Sequence, residues 1–425
     1  MDDRVKAELR TQLHRLLGAR RFLVHDSHSD RLGVAFPETV VEVQRIAQLS
    51  RDAKVPLIPR GATTNPFAGL EPQDGLVVSF DRLAWIGAAN ARTRLVTVQP
   101  GVLWHTLIQH LAERSLMPRV YPSSAGFSTV GGFVAQGGVG VGSYEFGDVA
   151  GTVASARVVD ANGELRRLKG SQVGLVAGAQ GRTGLLVDVL LRVQAETPMA
   201  PAILLFNGFD RAENAIADIS RRGLPIWSIH LLDPAGGALA SRNWPDLPVP
   251  PGQHAVLVAF RAADAGDAAA GLRSAARTAG GDIVEVAANT VDWIMQFASL
   301  QALATTPLPM QFHLPLGEAS AMVRSIPDKL RKELAFEAVV TDRGAGIILR
   351  LFFVERQSSV DEAGRVARQL LGLAKRVGGG AYTTGALYLD EAEAVFGAER
   401  LRQLAEFRQL VDPDDRLNPG RAFRS

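Results

Sequence analysis

The sequence predicts an α+β protein in which a glycine-rich cradle is followed by an antiparallel sheet backed by helices. Three observations carry that prediction. Residues Tyr121–Val149 are rich in glycine and apolar between the glycines, with Glu145 and Asp148 as their only charged side chains. Beyond Pro198 and Pro201 the pattern changes to short apolar strands alternating with amphipathic helices as far as Val377, which is how helices on one face of an antiparallel sheet read. Finally, 425 residues, 47% of them apolar and 21% charged, are enough for two or three domains with real cores. The chain has no cysteine, which excludes disulfides, iron–sulfur clusters, thiol catalysis and cysteine zinc sites.

In chain order, Val5, Leu9, Leu13 and Leu16 fall at helical intervals and predict a helix over 4–17. Thr39 is placed to cap the helical stretch VVEVQRIAQLSRDA. Lys54–Pro59 reads as a short buried strand running into Arg60, Gly61, Ala62, Thr63, Thr64 and Asn65. A small-residue turn after a strand is where backbone N–H groups can hold a pyrophosphate. Gly75–Phe80 and Leu95–Gln99 read as further strands, and WHTLIQHLAER as a helix whose His105 and His110 read as surface or satisfied residues.

In the cradle, each interior glycine costs about 1 kcal/mol in a helix, so no regular helix is expected there. The stretch is too rich in Val and Phe for a disordered linker. Glycines let backbone approach a ligand closely and turn N–H groups inward, so a large, flat, phosphate-bearing ligand is expected. The run Gly138-Val139-Gly140-Val141-Gly142 invites a dinucleotide fingerprint, but no helix is expected to open at Ser143. Asn162-Gly163 between Val153–Asp160 and Leu165–Arg167 is a two-residue hairpin signal. The strand LVDVLLRV closes the first domain near Gln194, and Phe312–Leu316, Ala335–Val340 and Ile347–Val354 extend the later sheet.

A net charge of +2 does not imply nucleic acid as a partner. The N-terminal MDDRVKAELRTQLHRLL lacks the apolar core of a signal peptide. No apolar run approaches the roughly 20 residues needed to span a bilayer. The expectation is a cytoplasmic protein with no transmembrane segment, with membrane attachment through a partner left open.

SSAGFSTVGGFVAQGG resembles the second flavin-binding segment of the FAD-linked oxidases of the vanillyl-alcohol oxidase, or PCMH, type. Thr129, Val130, Gly131, Gly132, Val134, Ala135, Gly137 and Gly138 fall on the pattern T-[IV]-G-G-x-[VI]-A-x-x-[AG]-G. Phe146-Gly147-Asp148 resembles, in shortened form, the element that follows. Pro59–Asn65 resembles the family's first flavin loop, P-R-G-[GA]-[GA]-T-[SN], without the histidine that attaches flavin covalently in some members. Gly178–Leu186 resembles G-S-E-G-T-L-G-[VI]-[IV], and Val411–Arg421 resembles the D-P-x-x-x-[LF]-N-P-G-[KR] tail.

The resemblance implies a PCMH-type, two-subdomain FAD-binding domain over residues 1–198. It implies a substrate or cap domain over 199–405 and a tail over 406–425 returning to the first domain. Non-covalent FAD is the implied cofactor. Its implied binding residues in the first loop are Arg60, Gly61, Ala62, Thr63, Thr64 and Asn65. In the cradle they are Pro122, Ser123, Ser124, Thr129, Gly131, Gly132, Ala135, Gly137, Gly138 and Ser143, with Gly184, Leu186 and Asn418 further on.

Relatives that oxidise D-lactate or glycolate carry G-H-x-G-D-G-N-x-H and later G-E-H-G, whose histidines serve as metal ligands or base. Here Asp342, Leu349 and Thr384 stand in those places, and no histidine follows His313, so no metal site is expected. A flavin dehydrogenase needs a cation or donor for the substrate's anion and a base for its hydroxyl proton. Arg350, Arg343, His313 and Tyr382 are the candidates, with His313 titrating nearest neutrality when unperturbed. The implied function is oxidation of a small 2-hydroxyacid or alcohol by hydride transfer to FAD. Electrons then leave to O2, a quinone, a cytochrome or a partner iron–sulfur subunit. The alternative is an FAD-bearing or structural subunit of a larger dehydrogenase with no substrate site of its own.

Overall fold

The computed structural model describes residues 3–24, 31–64, 75–243, 247–284, 286, 310–354 and 358–424. Its first layer pairs two helices with a small sheet. Helix α1 (Asp3–Leu17) buries Leu9, Leu13 and Leu17. Helix α2 (Val40–Ala53) starts at Thr39, whose Oγ1 accepts from Glu42 N at 3.1 Å while the Glu42 carboxylate accepts from Thr39 N. This reciprocal capping box satisfies two donors that a helix start otherwise leaves unpaired. The sheet runs β1 (Phe22–Leu23), β2 (Arg31–Ala35), β4 (Gly75–Ser79), β3 (Leu57–Arg60), with β2 and β3 both parallel to β4. The C-terminal tail continues it beyond β3. Leu57 N donates to Arg416 O and Asn418 N donates to Leu57 O, each at 2.8 Å.

A second sheet holds β5 (Leu95–Val98), β9 (Leu185–Ala195), β7 (Val153–Val159) and β8 (Leu165–Lys169) in that order, with β6 (Leu116–Pro118) beside β9. The β7–β8 hairpin forms, but its loop differs from the expected two residues. Asp160 N donates to Glu164 O and Gly163 N to Asp160 O, leaving Ala161, Asn162 and Gly163 as a three-residue loop. Gly163 sits at φ 85°, the left-handed position such loops require. Helices α3 (Trp104–Ala112) and α4 (Val130–Gln136) lie against this sheet, whereas the one-turn α5 (Ser143–Phe146) packs on the large sheet described below.

Two of these correct the reading of the cradle as helix-free. The short helix α4 forms inside the glycine stretch because both of its ends are capped. Thr129 Oγ1 accepts from Gly132 N at 3.3 Å, and Gly137 at φ 68° closes it. One turn, α5, also opens at Ser143. No strand leads into it, so the dinucleotide fingerprint still lacks its context.

The third layer is a large antiparallel sheet. Among the described residues its strands are β10 (Met199–Phe206), β11 (Ile226–Leu232), β12 (His254–Arg261), β13 (Asp282–Val284), β14 (Met310–Leu314), β15 (Leu334–Thr341), β16 (Gly346–Phe353) and β17 (Gly380–Ala381). Their order is β13-β10-β12-β11-β15-β16-β14-β17. Because side chains alternate across a strand, each strand splits its residues between two cores. Phe312, Phe336, Leu349 and Leu351 face α6 (Phe209–Arg221), α8 (Ala265–Thr278) and the helix Val360–Arg376. On the other face Leu232, Leu257, Ala335 and Phe352 pack against the second sheet and the cradle. That second face brings the large sheet to the ligand side.

Candidate active site

One cavity lies where the β3 turn, the cradle, the tail and the large sheet meet. The first loop contributes Arg60, Gly61, Ala62, Thr63 and Thr64 to its lining, and the cradle contributes Pro122, Ser123, Ser124, Thr129, Gly131, Gly132, Ala135 and Gly138. Gly184, Leu186 and Asn418, also expected from the sequence, line it too. The two loops meet in van der Waals contact: a Cβ on Gly61 would lie 2.6 Å from Thr129 Oγ1. Hydroxyls join them as well, since Thr64 Oγ1 lies 3.0 Å from Ser128 Oγ, which lies 2.6 Å from Ser124 Oγ. Thr63 sits at φ 53°, a left-handed conformation that a β-branched residue rarely adopts and that concentrates at functional sites.

The lining is positively charged and rich in donors. Arg60, Arg350 and Arg421 are its charged residues among those described, and no Asp, Glu or His lines it. Gln136 and Gln180 both donate to Thr383 Oγ1, at 2.6 and 2.9 Å, tying the cradle to the segment after β17. Asn418 Nδ2 donates to Gln180 O at 2.6 Å, while its buried Oδ1 has no hydrogen-bond partner among the described residues. A buried amide oxygen without a donor costs free energy unless a ligand supplies one.

Other expected residues fall elsewhere. Ser143 is fully buried away from the lining, where its Oγ accepts from Gly140 N at 2.9 Å and shapes the turn. Gly137 ends α4 and is also outside the lining. Asn65 lies outside the described residues. Gly131 lines the cavity, but a Cβ on it would lie 2.3 Å from Pro100 Cβ, so its smallness serves helix packing. Gly132 differs, because a Cβ there would meet only Thr129 Oγ1, at 3.0 Å, before open cavity.

The four catalytic candidates separate sharply. Arg350 lies in the lining, and its Nη2 donates to Val139 O at 3.1 Å. Arg343 is exposed in the 3-10 turn after β15 and does not line the cavity. His313 shares a face with Gln311, which lines the cavity, but stands two residues further along β14 beside Gly346 and Asp342. Burial lowers its pKa, which makes it a weaker base. Tyr382 lines the cavity, yet its hydroxyl donates to Gly137 O at 3.2 Å and accepts from Val139 N at 2.8 Å. Burial pushes its pKa up to about 12, so it is neutral at ordinary pH and cannot serve as a base. Asp342, Leu349 and Thr384 do not converge: Asp342 is exposed at the turn, Leu349 faces the helix-side core, and Thr384 is buried against Gln180. Among the described residues no group of three or more His, Asp or Glu is placed to hold a metal ion.

Tyr382 is therefore a strut between the large sheet and the cradle. Tyr382→Phe should lower FAD affinity by about tenfold while leaving the fold intact, because Val139 N loses its acceptor at a cost of about 1–3 kcal/mol. Equilibrium dialysis of FAD against both proteins checks this, and equal affinities would remove the strut from the account.

A family model described as FAD linked oxidases, C-terminal domain, matches residues 197–422, more than half of the chain, and one described as FAD binding domain matches 32–169. The chain belongs to the FAD-linked oxidases. Among curated relatives of this FAD-linked oxidase, the glycolate oxidase subunit GlcD of Bacillus subtilis is 26% identical over 255 residues, covering 54% of each protein. The match thus spans about half the length of that relative. The mitochondrial cytochrome-type D-lactate dehydrogenase of Arabidopsis thaliana is 24% identical over 415 residues, covering 91% of this chain and 72% of its own. Among solved structures, 4-ethylphenol oxidase from Gulosibacter chungangensis superposes with a TM-score of 0.80 at 16% identity, over 100% of this chain and 98% of its own. At that identity the likeness shows the fold.

FAD is the cofactor of this family, and the site fits it. Gly132 keeps the cavity open where a side chain would intrude, Asn418 Oδ1 has no hydrogen-bond partner among the described residues, and Arg60 and Arg421 bring positive charge to the lining. Gln136, Gln180, Gln311 and Arg421 were missed from the sequence, although Arg421 closes the quoted NPGR motif and Gln180 stands inside the Gly178–Leu186 match. Gln311 carried no signal, because its position depends on the pairing of β14 with β16.

Proposed function

We propose that this FAD-linked oxidase oxidises a small 2-hydroxyacid or related alcohol bound between the flavin site and the large sheet, with residues 199–405 forming the substrate domain. One observation carries the reading. Among the described residues, Arg350 is the single charged side chain that the large sheet contributes to the cavity lining. A guanidinium offers a planar fork of donors that fits a carboxylate. Gln311 lies directly across the β14–β16 pair from it and adds an amide donor on the same wall. Bound FAD supplies the hydride acceptor. The protein's share is to orient the substrate anion with Arg350 and Gln311, and to hold the cradle in place through Tyr382.

The candidate bases fare less well. His313 is displaced along its strand and Tyr382 is held neutral, so the acceptor for the hydroxyl proton is left unassigned among the described residues. That gap favours the second reading, an FAD-bearing subunit of a larger dehydrogenase without a substrate site of its own. Electron transfer to an external acceptor, such as a quinone, a cytochrome or an iron–sulfur partner subunit, belongs to either reading.

One experiment separates the two. The protein is purified with FAD, a sample is acid-precipitated, and the rest is titrated anaerobically with D-lactate, glycolate and D-2-hydroxyglutarate. Flavin released wholly into the supernatant is expected for non-covalent FAD, and bleaching of the flavin band by at least one acid, unaffected by EDTA, is expected for the enzyme. No bleaching by any of them would select the subunit reading, and bleaching lost to EDTA and restored by Zn²⁺ or Mn²⁺ would reveal a metal site.

A further inference from the structure

Behind Arg350, away from the cavity, the large sheet carries a row of buried polar side chains that the proposed reaction does not use. On the face turned to the cradle, β15 places Glu337 opposite Arg350 of β16, and β11 places His230 opposite Val339. Glu337 and His230 are each 1% exposed. Glu337 Oε1 lies 3.5 Å from Arg350 Nη1 and 3.9 Å from His230 Nδ1, and His230 Nε2 lies 3.1 Å from Ser228 Oγ. The row therefore runs Ser228, His230, Glu337, Arg350 and ends at the cavity.

Its cost demands a reason. A carboxylate this deep is expensive unless a cation compensates it, and a pair so built is often no more stable than apolar residues in the same volume. His230 does not act as that cation. Burial drives its pKa down to about 3, so the ring is neutral and, among the described residues, Arg350 is the cation that faces Glu337. Burial raises the Glu337 pKa while Arg350 opposes the rise. The guanidinium thus has the Glu337 carboxyl 3.5 Å behind it as an ion-pair partner, while its Nη2 donates to Val139 O at 3.1 Å.

We propose that Glu337 tempers the charge of Arg350: from behind the guanidinium, 3.5 Å away, it offsets part of the positive charge offered to an anionic substrate. The consequence is a tempered anion site, one that holds a carboxylate firmly enough to align it and weakly enough to release the product. The inference rests on the reading of Arg350 as the substrate's anion anchor, and its test is built so that the two can fail separately.

The probe is oxalate, a small dianion with no hydroxyl to oxidise, titrated into the FAD-loaded protein while the flavin absorbance is followed. Arg350→Gln should weaken oxalate binding by about tenfold or more, since it removes the charge-assisted contact. Glu337→Gln keeps size and shape but removes the negative charge, and should tighten oxalate binding by about fivefold by Coulomb's law at a protein-like dielectric. Glu337→Asp keeps the charge but draws it back from Arg350 and should tighten binding by about twofold. For any substrate that bleaches the flavin, Glu337→Gln should lower KM and kcat together, because the product also dissociates more slowly. Unchanged oxalate binding in Arg350→Gln would overturn the anchor reading. Weakened binding there with unchanged or weaker binding in Glu337→Gln would overturn only the role of Glu337. Should Glu337→Gln fail to fold, the Asp variant decides, and unchanged binding in it overturns the proposal.

Discussion

Gly132→Val should give a folded protein that retains almost no FAD. A Cβ at this position clears everything but Thr129 Oγ1, so the chain itself tolerates the change and the branched side chain projects into the cavity. Overpacking of this kind costs about 3 kcal/mol, or roughly 100-fold in FAD affinity. Two neighbouring changes serve as contrasts. Gly131→Ala drives a methyl into Pro100 and should lower folded yield before it affects the ligand. Gly163→Val strains a residue at φ 85° whose Cβ would lie 2.7 Å from Gln44 O; it should lower the melting temperature and leave FAD occupancy near that of the wild type. Flavin-to-protein ratios after gel filtration give the answer, and equal occupancy in Gly132→Val and wild type would show that the ligand does not pass this glycine.

The second large effect is expected at Arg182, which joins the tail to the flavin domain. Its side chain is 1% exposed, its Nη1 donates to Leu417 O at 2.9 Å and to the Asp415 carboxylate, and its guanidinium lies 5.4 Å from the centre of the Phe423 ring. Arg182→Leu leaves the Leu417 carbonyl without this donor and takes from the Asp415 carboxylate the nearer of its two arginines, the other being Arg408 at 3.7 Å. We expect a loss of about 3 kcal/mol in stability. Asp415 is about a third exposed, so most of this comes from the buried carbonyl contact. Because the same tail carries Asn418 and Arg421 into the cavity, FAD affinity should fall in step with stability. Urea melts with and without added FAD measure both, and an unchanged midpoint together with full FAD retention would show that the tail docks without this arginine.

Much of the site was legible in the sequence because it is built from consecutive residues. Gly61 to Thr64, Ser123 to Gly138 and the LNPGR tail each act through local backbone conformation, so their order along the chain carries the information. The helical period of α2 and its Thr39 cap were readable for the same reason. The catalytic side was less legible. Arg350 was singled out beside Arg343, His313 and Tyr382, and nothing in the one-dimensional pattern separated the four.

That separation came from sheet register. Two-residue periodicity shows that Leu349 and Arg350 point opposite ways, but not which face meets the cradle. The pairing of β16 with β14 and β15 settles it, setting Arg350 between Gln311 and Glu337 and leaving His313 further along the strand. Burial was equally out of reach of the sequence. Tyr382 has a phenol that titrates near 10 in water; the fold surrounds it and engages its oxygen with Val139 N and Gly137 O, which leaves it neutral and structural. The two adjacent cradle glycines make the same point at the smallest scale. The sequence by itself determined that both lack side chains and belong to a flavin-binding pattern. Only the tertiary structure decided that Gly131 makes room for Pro100 and Gly132 borders the open cavity, because space is a property of what packs around a residue and not of the residue.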